Sequence, residues 1–287
     1  GMDRAVMIRD GYSIGISMSS SRIYDYECSD RENLKGYNTG AGTVYIYNGQ
    51  EKAYDDNFWC TVDANRLAGT TVDPNGEKSP GYYLSPDSWA GGAELGKYGS
   101  AGMSIAPYGS NLRGKKSWFC VGDELIALGA GISNPNAYTE TIVENRKINS
   151  DYKLICNNVE RNITEEIWYN TYWTYMAPYS DDGTEDVSRA VGYYFPQKPH
   201  IKAKREKRSG SWNDVLTGSS DEVQENEFFS MYINQPNAND ADYAYVVLPC
   251  RTKEEVRSFA VNPTCTILEN TKEIQAVKGC DDGKEIT

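Results

Sequence analysis

The stretch Tyr12-Ser13-Ile14-Gly15-Ile16-Ser17-Met18 alternates apolar residues with small or polar ones, and this alternation decides the fold class. Successive side chains of a β-strand point to opposite faces, so the pattern predicts a strand with one buried face. The same pattern returns at Thr43-Val44-Tyr45-Ile46-Tyr47, directly before the turn dipeptide Asn48-Gly49. Both stretches therefore predict β-strands, the second of which ends at a turn.

Outward from these two strands, similar short runs continue along the chain, separated by turn residues. The further predicted strands are Lys116 to Cys120, Glu124 to Leu128, Thr139 to Val143, Ala190 to Phe195, Phe228 to Ile233 and Tyr243 to Leu248. Helical pattern is confined to Lys253 to Ala260, which follows a Thr252 cap with Glu255 three residues on, and to a short turn near Trp212 to Leu216. We therefore predict an all-β fold of stacked antiparallel sheets with little helix.

The length of 287 residues is compatible with one large β domain. We predict that this domain covers residues 1–278 and that the acidic, glycine-containing segment 279–287 is a frayed tail. No apolar run approaches the length of a membrane-spanning helix, and no signal peptide is visible. A membrane partner is therefore not expected.

The net charge of −12 and the pI near 4.7 argue against a nucleic-acid partner, which normally requires a basic surface. An anionic substrate would need a local basic patch. One basic run exists, and two interpretations stay open: a substrate patch, or an edge strand protected by lysines. The run consists of Lys198, Lys202, Lys204, Arg205, Lys207 and Arg208.

Cysteine and histidine usage excludes several kinds of site. Seven dispersed cysteines give no disulfide framework and no zinc motif, so we predict neither a catalytic metal nor a cofactor. The single histidine, His200, has no nucleophile motif nearby and is expected to be an ordinary strand residue. Asp55-Asp56 and Asp181-Asp182 could hold a structural calcium in a loop, but solvated surface carboxylates are the favoured interpretation of these pairs.

The segment Ser19 to Gly42 concentrates charged and amide side chains after a predicted strand, which is typical of a polar site on a scaffold. These side chains are Arg22, Asp25, Glu27, Asp30, Arg31, Glu32, Asn33 and Lys35. On a strand, Asp25 and Glu27 would share one face. Three interpretations stay open: paired carboxylates for glycoside hydrolysis, a carboxylate that orients a group from another domain, or an ion-pair network in a polar loop.

Short blocks distributed over most of the chain carry a family resemblance. They include Met2-Asp3-Arg4-Ala5-Val6, Arg9-Asp10-Gly11-Tyr12, Ser17-Met18-Ser19-Ser20-Ser21-Arg22, Glu32-Asn33-Leu34-Lys35-Gly36-Tyr37, Glu144-Asn145-Arg146-Lys147, Gly192-Tyr193-Tyr194-Phe195-Pro196 and Gly210-Ser211-Trp212-Asn213-Asp214. In this order they resemble the central β domain of the family 8 polysaccharide lyases, which include hyaluronate, chondroitin AC and xanthan lyases. The resemblance implies a galactose-mutarotase-like β supersandwich. It also implies that the N-terminal α/α toroid and the smaller C-terminal β domain of the family are absent from this chain.

The resemblance also implies roles for individual residues. Glu27 matches the family's Glu of a Glu-x-x-Asn pair, which assists catalysis by orienting side chains of the toroid. Asp30 stands at the position of that pair's Asn, where a carboxylate replaces an amide that can donate hydrogen bonds. Asn33, Arg31 and Arg146 are candidate contacts for an acidic polysaccharide.

Two functions from different classes follow. In the first, the chain is the central domain of a secreted or periplasmic lyase that cleaves uronic-acid-containing polysaccharides by β-elimination, and it is inactive without the toroid, its partner in the parent chain. In the second, it is a carbohydrate-binding or scaffold module without lyase chemistry. A hydrolase that uses Glu27 and Asp30 ranks third.

Overall fold

The structure is a computed structural model that describes residues 3–50, 52–281 and 283–287. Its regular structure is almost entirely β. The strands are β1 Arg4–Arg9, β2 Tyr12–Ser17, β3 Thr43–Tyr47, β4 Thr71–Val72, β5 Ala90–Leu95, β6 Tyr98–Ile105, β7 Arg113–Val121, β8 Glu124–Ser133, β9 Glu140–Ile148, β10 Tyr152–Cys156, β11 Val159–Arg161, β12 Glu165–Trp168, β13 Trp173–Pro178, β14 Val191–Tyr194, β15 Ile201–Gly210, β16 Gln224–Asn234, β17 Ala241–Pro249, β18 Cys265–Asn270, β19 Gln275–Asp281 and β20 Lys284–Ile286. The helices are α1 Phe58–Thr61 and α2 Lys253–Val261, and two 3₁₀ turns lie at Val187–Arg189 and Trp212–Asp214.

These strands form four sheets over the described ranges, and every pairing between them is antiparallel. The largest sheet has nine strands in the order β11-β10-β13-β14-β17-β8-β7-β6-β5. A five-stranded sheet has the order β12-β15-β16-β9-β4, and two three-stranded sheets consist of β1-β2-β3 and β18-β19-β20.

The nine-stranded sheet is the middle layer, because alternate residues of its strands belong to two different buried clusters. In β8, Leu125 packs in a cluster that also contains residues of β2, β9 and β16. Its neighbour Ile126 points the other way, into a second cluster with Val256 of α2 and Val277 of β19. One face of the sheet therefore packs against the five-stranded sheet and β1–β3, and the opposite face packs against α2 and β18–β20. The prediction of stacked antiparallel sheets is confirmed.

Local predictions from sequence also hold at both ends of the chain. The alternation at residues 12–17 forms β2, with Ile14 and Ile16 buried. The helix α2 begins after Thr252, whose hydroxyl accepts from the Glu255 N–H at 3.2 Å while the Glu255 carboxylate accepts from the Thr252 N–H at 2.7 Å. This reciprocal pair is the capping box that the sequence predicts.

The prediction of a frayed tail over residues 279–287 is wrong. Gly279 to Asp281 belong to β19, and they pair with β20 in the register Gly279↔Ile286. Lys278 and Glu285 add an ion pair at 2.8 Å between the two strands. Tail composition alone misses this pairing, because β19 packs on the nine-stranded sheet, whose β7 and β8 come from distant parts of the chain. Across the described residues, no helix is both long enough and apolar enough to span a membrane.

Candidate functional site

The site loop, defined as Ser19–Gly42, has an irregular backbone, so the shared face that Asp25 and Glu27 would have on a strand is not formed. Its first half runs along the segment 81–87 and is fixed to it by backbone hydrogen bonds. The Asp25 N–H donates to the Tyr83 carbonyl at 3.1 Å, and the Ser21 N–H donates to the Asp87 carbonyl at 2.9 Å. These contacts from a distant part of the sequence determine where the loop lies.

The second half of the site loop holds three non-glycine residues in the left-handed region. The φ angles are 47° at Asp30, 67° at Arg31 and 56° at Asn33. Such residues cost on the order of 1 kcal/mol or more each and persist only where surrounding contacts hold them. Here the Leu34 N–H donates to the Val215 carbonyl at 2.9 Å, and the Thr217 N–H donates to the Arg31 carbonyl at 3.1 Å. The turn beginning at Trp212 therefore anchors the tip of the loop.

The four candidate residues of the loop, Glu27, Asp30, Arg31 and Asn33, are all exposed. Within the described residues, the carboxylates of Glu27 and Asp30 and the guanidinium of Arg31 form no ion pair. The ion-pair-network interpretation is therefore wrong for these three groups. Their charged groups face solvent and are available to a ligand or to another part of a larger protein.

Asn33 holds the loop together as well as facing solvent. Its side-chain amide donates to the backbone carbonyl of Glu27 at 2.8 Å, which ties the two candidate positions to each other. Gly40 closes the loop from the other side, where a Cβ would lie 2.2 Å from the backbone oxygen of Asp25. Close backbone approach of this kind explains why glycine stands there.

Asp25 differs from Glu27, although the sequence predicts that they share a face. The Asp25 side chain is half-buried, accepts from the Tyr26 N–H at 2.8 Å, and lines a cleft beneath the loop. Burial raises the pKa of the Asp25 carboxyl above its usual range, and hydrogen bonds from Ser79 and the backbone partly oppose that rise. The two carboxylates therefore belong to different environments.

The structure places Arg146 away from any surface, so its prediction as a substrate contact is wrong. The side chain lies in β9 and is only 1% exposed. Its guanidinium donates to Gln50 Oε1 at 2.9 Å, to Asn48 Oδ1 at 2.8 Å and to the Ile46 carbonyl at 3.3 Å. Since protein atoms occupy its donors, Arg146 belongs to the structural framework.

The basic run is not a free cationic patch. Its members from Lys202 to Arg208 lie in β15, which pairs with β12 on one side and with β16 on the other, so this strand is not an edge strand; Lys198 precedes the strand and lies over the Tyr172 ring. Nearly all of its cations are paired with carboxylates at 2.8–3.5 Å. These pairs are Lys202–Glu165, Lys204–Glu165, Lys204–Glu206, Arg205–Glu227, Lys207–Glu225 and Arg208–Glu206.

The remaining candidate groups lie outside the site loop. His200 accepts from the Asn170 N–H at 3.3 Å and packs edge-on against Tyr169. In the part of the chain that the structure describes, no three His, Cys, Asp or Glu side chains are grouped closely enough to hold a metal ion. Sequence reasoning missed the cleft beneath the loop, because its lining comes from three stretches that show no common pattern.

The arrangement can present an unpaired carboxylate and polar groups to a partner surface. Glu27 can accept a hydrogen bond from an incoming donor, and the backbone around it is held from two sides. General acid–base chemistry needs a group of suitable pKa within reach of the reacting atoms. Among the described residues, no hydrogen bond joins the Glu27 side chain to the histidine or to a tyrosine hydroxyl.

Comparison with known proteins places this fold in a family. Residues 1–260 match the model of polysaccharide lyase family 8, super-sandwich domain. The chain is 37% identical to xanthan lyase of Bacillus sp. strain GL1 over 96% of its own length and 30% of that protein. The structure of Paenibacillus xanthan lyase superimposes with a TM-score of 0.92 at 40% identity, covering 97% of this chain and 27% of that one.

A chondroitin AC lyase from Streptomyces coelicolor A3, solved with chondroitin sulphate, gives a TM-score of 0.81 at 30% identity and covers 97% of this chain and 36% of that one. The chain thus spans roughly a third of the length of these relatives. The family-model match and the identity to xanthan lyase agree with each other over nearly the whole chain. This chain therefore belongs to polysaccharide lyase family 8 and carries its super-sandwich domain.

Proposed function

We propose that this chain is the central domain of a lyase that cleaves uronic-acid-containing polysaccharides by β-elimination. In this proposal it supplies one wall of the substrate cleft and an assisting carboxylate, Glu27, and it is inactive alone. The observation that carries the proposal is the exposed Glu27, which has no ion-pair partner among the described residues and stands on a held loop of this lyase domain.

β-Elimination needs a base, an acid and a group that neutralises the uronate carboxylate, and we propose that these come from a second domain. A base removes the proton at C5 of the uronate, the electron pair forms the C4–C5 double bond, and the glycosidic oxygen leaves from C4 with a proton from an acid. The uronate carboxylate must be neutralised so that the C5 proton becomes acidic enough. The family resemblance assigns these tasks to Asn, His, Tyr and Arg side chains of a helical toroid. We propose that this toroid, encoded with the parent chain, is the partner of the site loop.

Glu27 would act as a positioning residue in this scheme. An unpaired carboxylate can accept a hydrogen bond from a catalytic side chain of the partner domain and fix its orientation. Asn33 supports this role, because its amide holds the Glu27 backbone at 2.8 Å. Acidic polysaccharide would lie along the same surface, in contact with Arg31 and near Asp30. A polymer of this kind is too large to enter a cell, so we also propose a secreted or periplasmic location.

The test uses the parent lyase that contains this chain. We expect Glu27→Gln to lower kcat by at least tenfold with little change in KM, since the residue would orient catalytic groups rather than bind substrate. The matched control is Glu32→Gln, which removes another exposed carboxylate from the same loop. Equal kcat values for the two variants would contradict the role of Glu27.

A substitution at Asp30 is a second test of whether the site loop faces the substrate. Its carboxylate adds repulsion toward an anionic sugar, whereas an amide could donate a hydrogen bond. We expect Asp30→Asn to raise kcat/KM on a uronate polymer severalfold, with a smaller gain at high salt. A decrease in kcat/KM, or a gain that salt does not affect, would show that Asp30 does not face the substrate.

A further inference from the structure

The cleft beneath the site loop is a second concave site, separate from the exposed candidate residues. Its cavity volume is about 70 Å³, and the cleft opens to solvent at its mouth. Its walls come from the site loop, from residues 71–85 and from the end of β6 with the turn that follows. The lining side chains that matter below are Ser19, Asp25, Tyr83, Ser104 and Tyr108. Glu27, Asp30, Arg31 and Asn33 do not line it.

Three hydroxyl groups in this cleft lack a partner. Ser19 and Ser104 are 8% and 5% exposed, and their hydroxyls make no hydrogen bond to the described residues. The Tyr108 hydroxyl has no protein partner there either. None of these three oxygens is among the fully enclosed unpaired atoms of the described residues, so each reaches the open space of the cleft. These groups are therefore free to bond to a ligand that enters the cleft.

Aromatic rings form a wall next to these hydroxyls. The rings of Tyr83 and Tyr108 pack edge to face, with centroids 5.5 Å apart. The Tyr83 hydroxyl donates to the Ala106 carbonyl at 3.0 Å, which holds its ring in place. A fixed aromatic wall beside unpaired hydroxyls offers both apolar contact and hydrogen bonding. Pyranose rings present the matching combination of C–H faces and hydroxyl groups.

The charge of the cleft selects against anions. Its lining contains three carboxylates, those of Asp25, Asp73 and Glu77, and one ammonium group, that of Lys78. Asp73 already accepts from Asn134 Nδ2 at 3.2 Å, and Lys78 lies over the Tyr37 ring at 4.9 Å from its centroid. An additional carboxylate on a ligand would meet this excess of negative charge in a partly buried place, which is unfavourable.

We propose that this cleft binds a neutral pyranose. The unpaired serine and tyrosine hydroxyls and the Asp25 carboxylate would bond to the sugar hydroxyls, and the Tyr83–Tyr108 wall would contact its apolar face. The proposal does not depend on lyase chemistry, since binding to this cleft requires neither Glu27 nor another domain. Failure of the elimination assay would therefore leave it unaffected.

The test titrates the 287-residue chain with matched methyl glycosides. The neutral probes are the methyl pyranosides of glucose, mannose and galactose, and the anionic probe is methyl glucopyranosiduronate, which differs from the glucoside by one carboxylate. Calorimetry or protein NMR should show saturable binding of at least one neutral probe, at least tenfold tighter than the uronide. Absence of saturable binding by all three neutral probes, or equal or tighter binding of the uronide, would overturn the proposal.

Variants locate the binding in the cleft. Tyr108→Phe and Ser104→Ala each remove a hydroxyl that has no partner in the described residues, so both should fold normally and bind the neutral probe about fivefold more weakly. The control Tyr169→Phe removes the hydroxyl of a 64% exposed tyrosine outside the cleft. It should leave affinity unchanged. Equal affinities of all three variants and the unaltered chain would place the sugar elsewhere and overturn the proposal.

Discussion

The site loop and the strand β9 are both rich in charged residues, yet these residues are exposed in the loop and buried in β9. The loop exposes Glu27, Asp30 and Arg31 to solvent, whereas β9 buries every one of its residues, including Glu144 and Arg146. In sequence the two segments resemble each other, since both place Glu-Asn beside basic residues. Charge density alone therefore does not identify a functional surface.

The difference lies in how each charge is satisfied. In β9, Glu144 Oε2 accepts from the Tyr193 hydroxyl at 2.5 Å, and Lys147 Nζ donates to the Asp55 carbonyl at 2.8 Å. The Asn145 amide donates to the Arg66 carbonyl at 2.6 Å. Burial makes such partners necessary, because an unpaired buried charge is costly. Water satisfies the loop charges, so they remain free for a ligand or partner.

The largest expected effect contrasts the two segments directly. Arg146→Ala should lower the free energy of unfolding by about 3–5 kcal/mol, because it removes the buried hydrogen bonds to Gln50, Asn48 and the Ile46 carbonyl and takes away the positive charge beside the buried Glu144. Arg31→Ala, the matched change in the site loop, should alter it by about 0.5 kcal/mol or less. Urea unfolding of both variants gives the comparison. Similar losses would contradict the distinction between framework and surface.

Lys116 extends the comparison between β9 and the site loop, because it is buried yet forms no ion pair with a carboxylate of the described residues. Lys116 in β7 is fully buried; its Nζ donates to the Gly69 carbonyl and lies 5.5 Å from the centroid of the Trp118 ring. Burial lowers the pKa of Lys116 from 10.5 to about 7. Since the folded-state pKa is the lower one, the unfolded chain binds more protons between these values. The contribution of Lys116 to stability therefore rises with pH across this window.

The measurement compares the unaltered chain with Lys116→Met from about pH 7.5 to about pH 9. The stability of the unaltered chain relative to the variant should rise by about 1.4 kcal/mol for each pH unit. Other titrating groups largely cancel in the difference. A difference that does not depend on pH would show that Lys116 keeps its proton in the folded state.

A smaller effect tests whether the site loop is held in place. Gly40→Ala would put a Cβ 2.2 Å from the Asp25 backbone oxygen, so the loop must shift. We expect a loss of about 1–3 kcal/mol and faster amide hydrogen exchange in the loop. The control Gly15→Ala lies in β2, where the nearest atom to a new Cβ would be 3.9 Å away. Unchanged exchange in the Gly40 variant would mean that the loop is not packed as described.

Sequence patterns predicted those features that depend on neighbours in the chain. The alternation in β2 and the Thr252–Glu255 capping box are local, and both are confirmed. The hydrogen bonds that hold the buried Arg146 come from residues 46–50, far away in sequence, and β19, the partner of β20, packs on the nine-stranded sheet. The path of the site loop does not follow from its own sequence, because residues 81–87 and 215–217, far away in sequence, determine it.

The same reasoning applies to the candidate site. Spacing placed Glu27, Asp30, Arg31 and Asn33 in one polar segment, and the structure brings all four to the surface of one loop. Asp25 lies apart from these four residues, because its carboxylate lines the cleft beneath the loop, whose walls come from three parts of the chain. Only the fold assembles that cleft, so no local pattern could have predicted it.

The most direct test of the central proposal is an ultraviolet absorbance assay for the unsaturated uronate product. The 287-residue chain and the parent lyase that contains it are each incubated with hyaluronan, chondroitin and a xanthan-derived substrate. We predict that only the parent lyase forms product, because our proposal assigns the groups that remove the C5 proton to a toroid domain of the parent chain. Robust turnover by the isolated 287-residue chain would contradict this account.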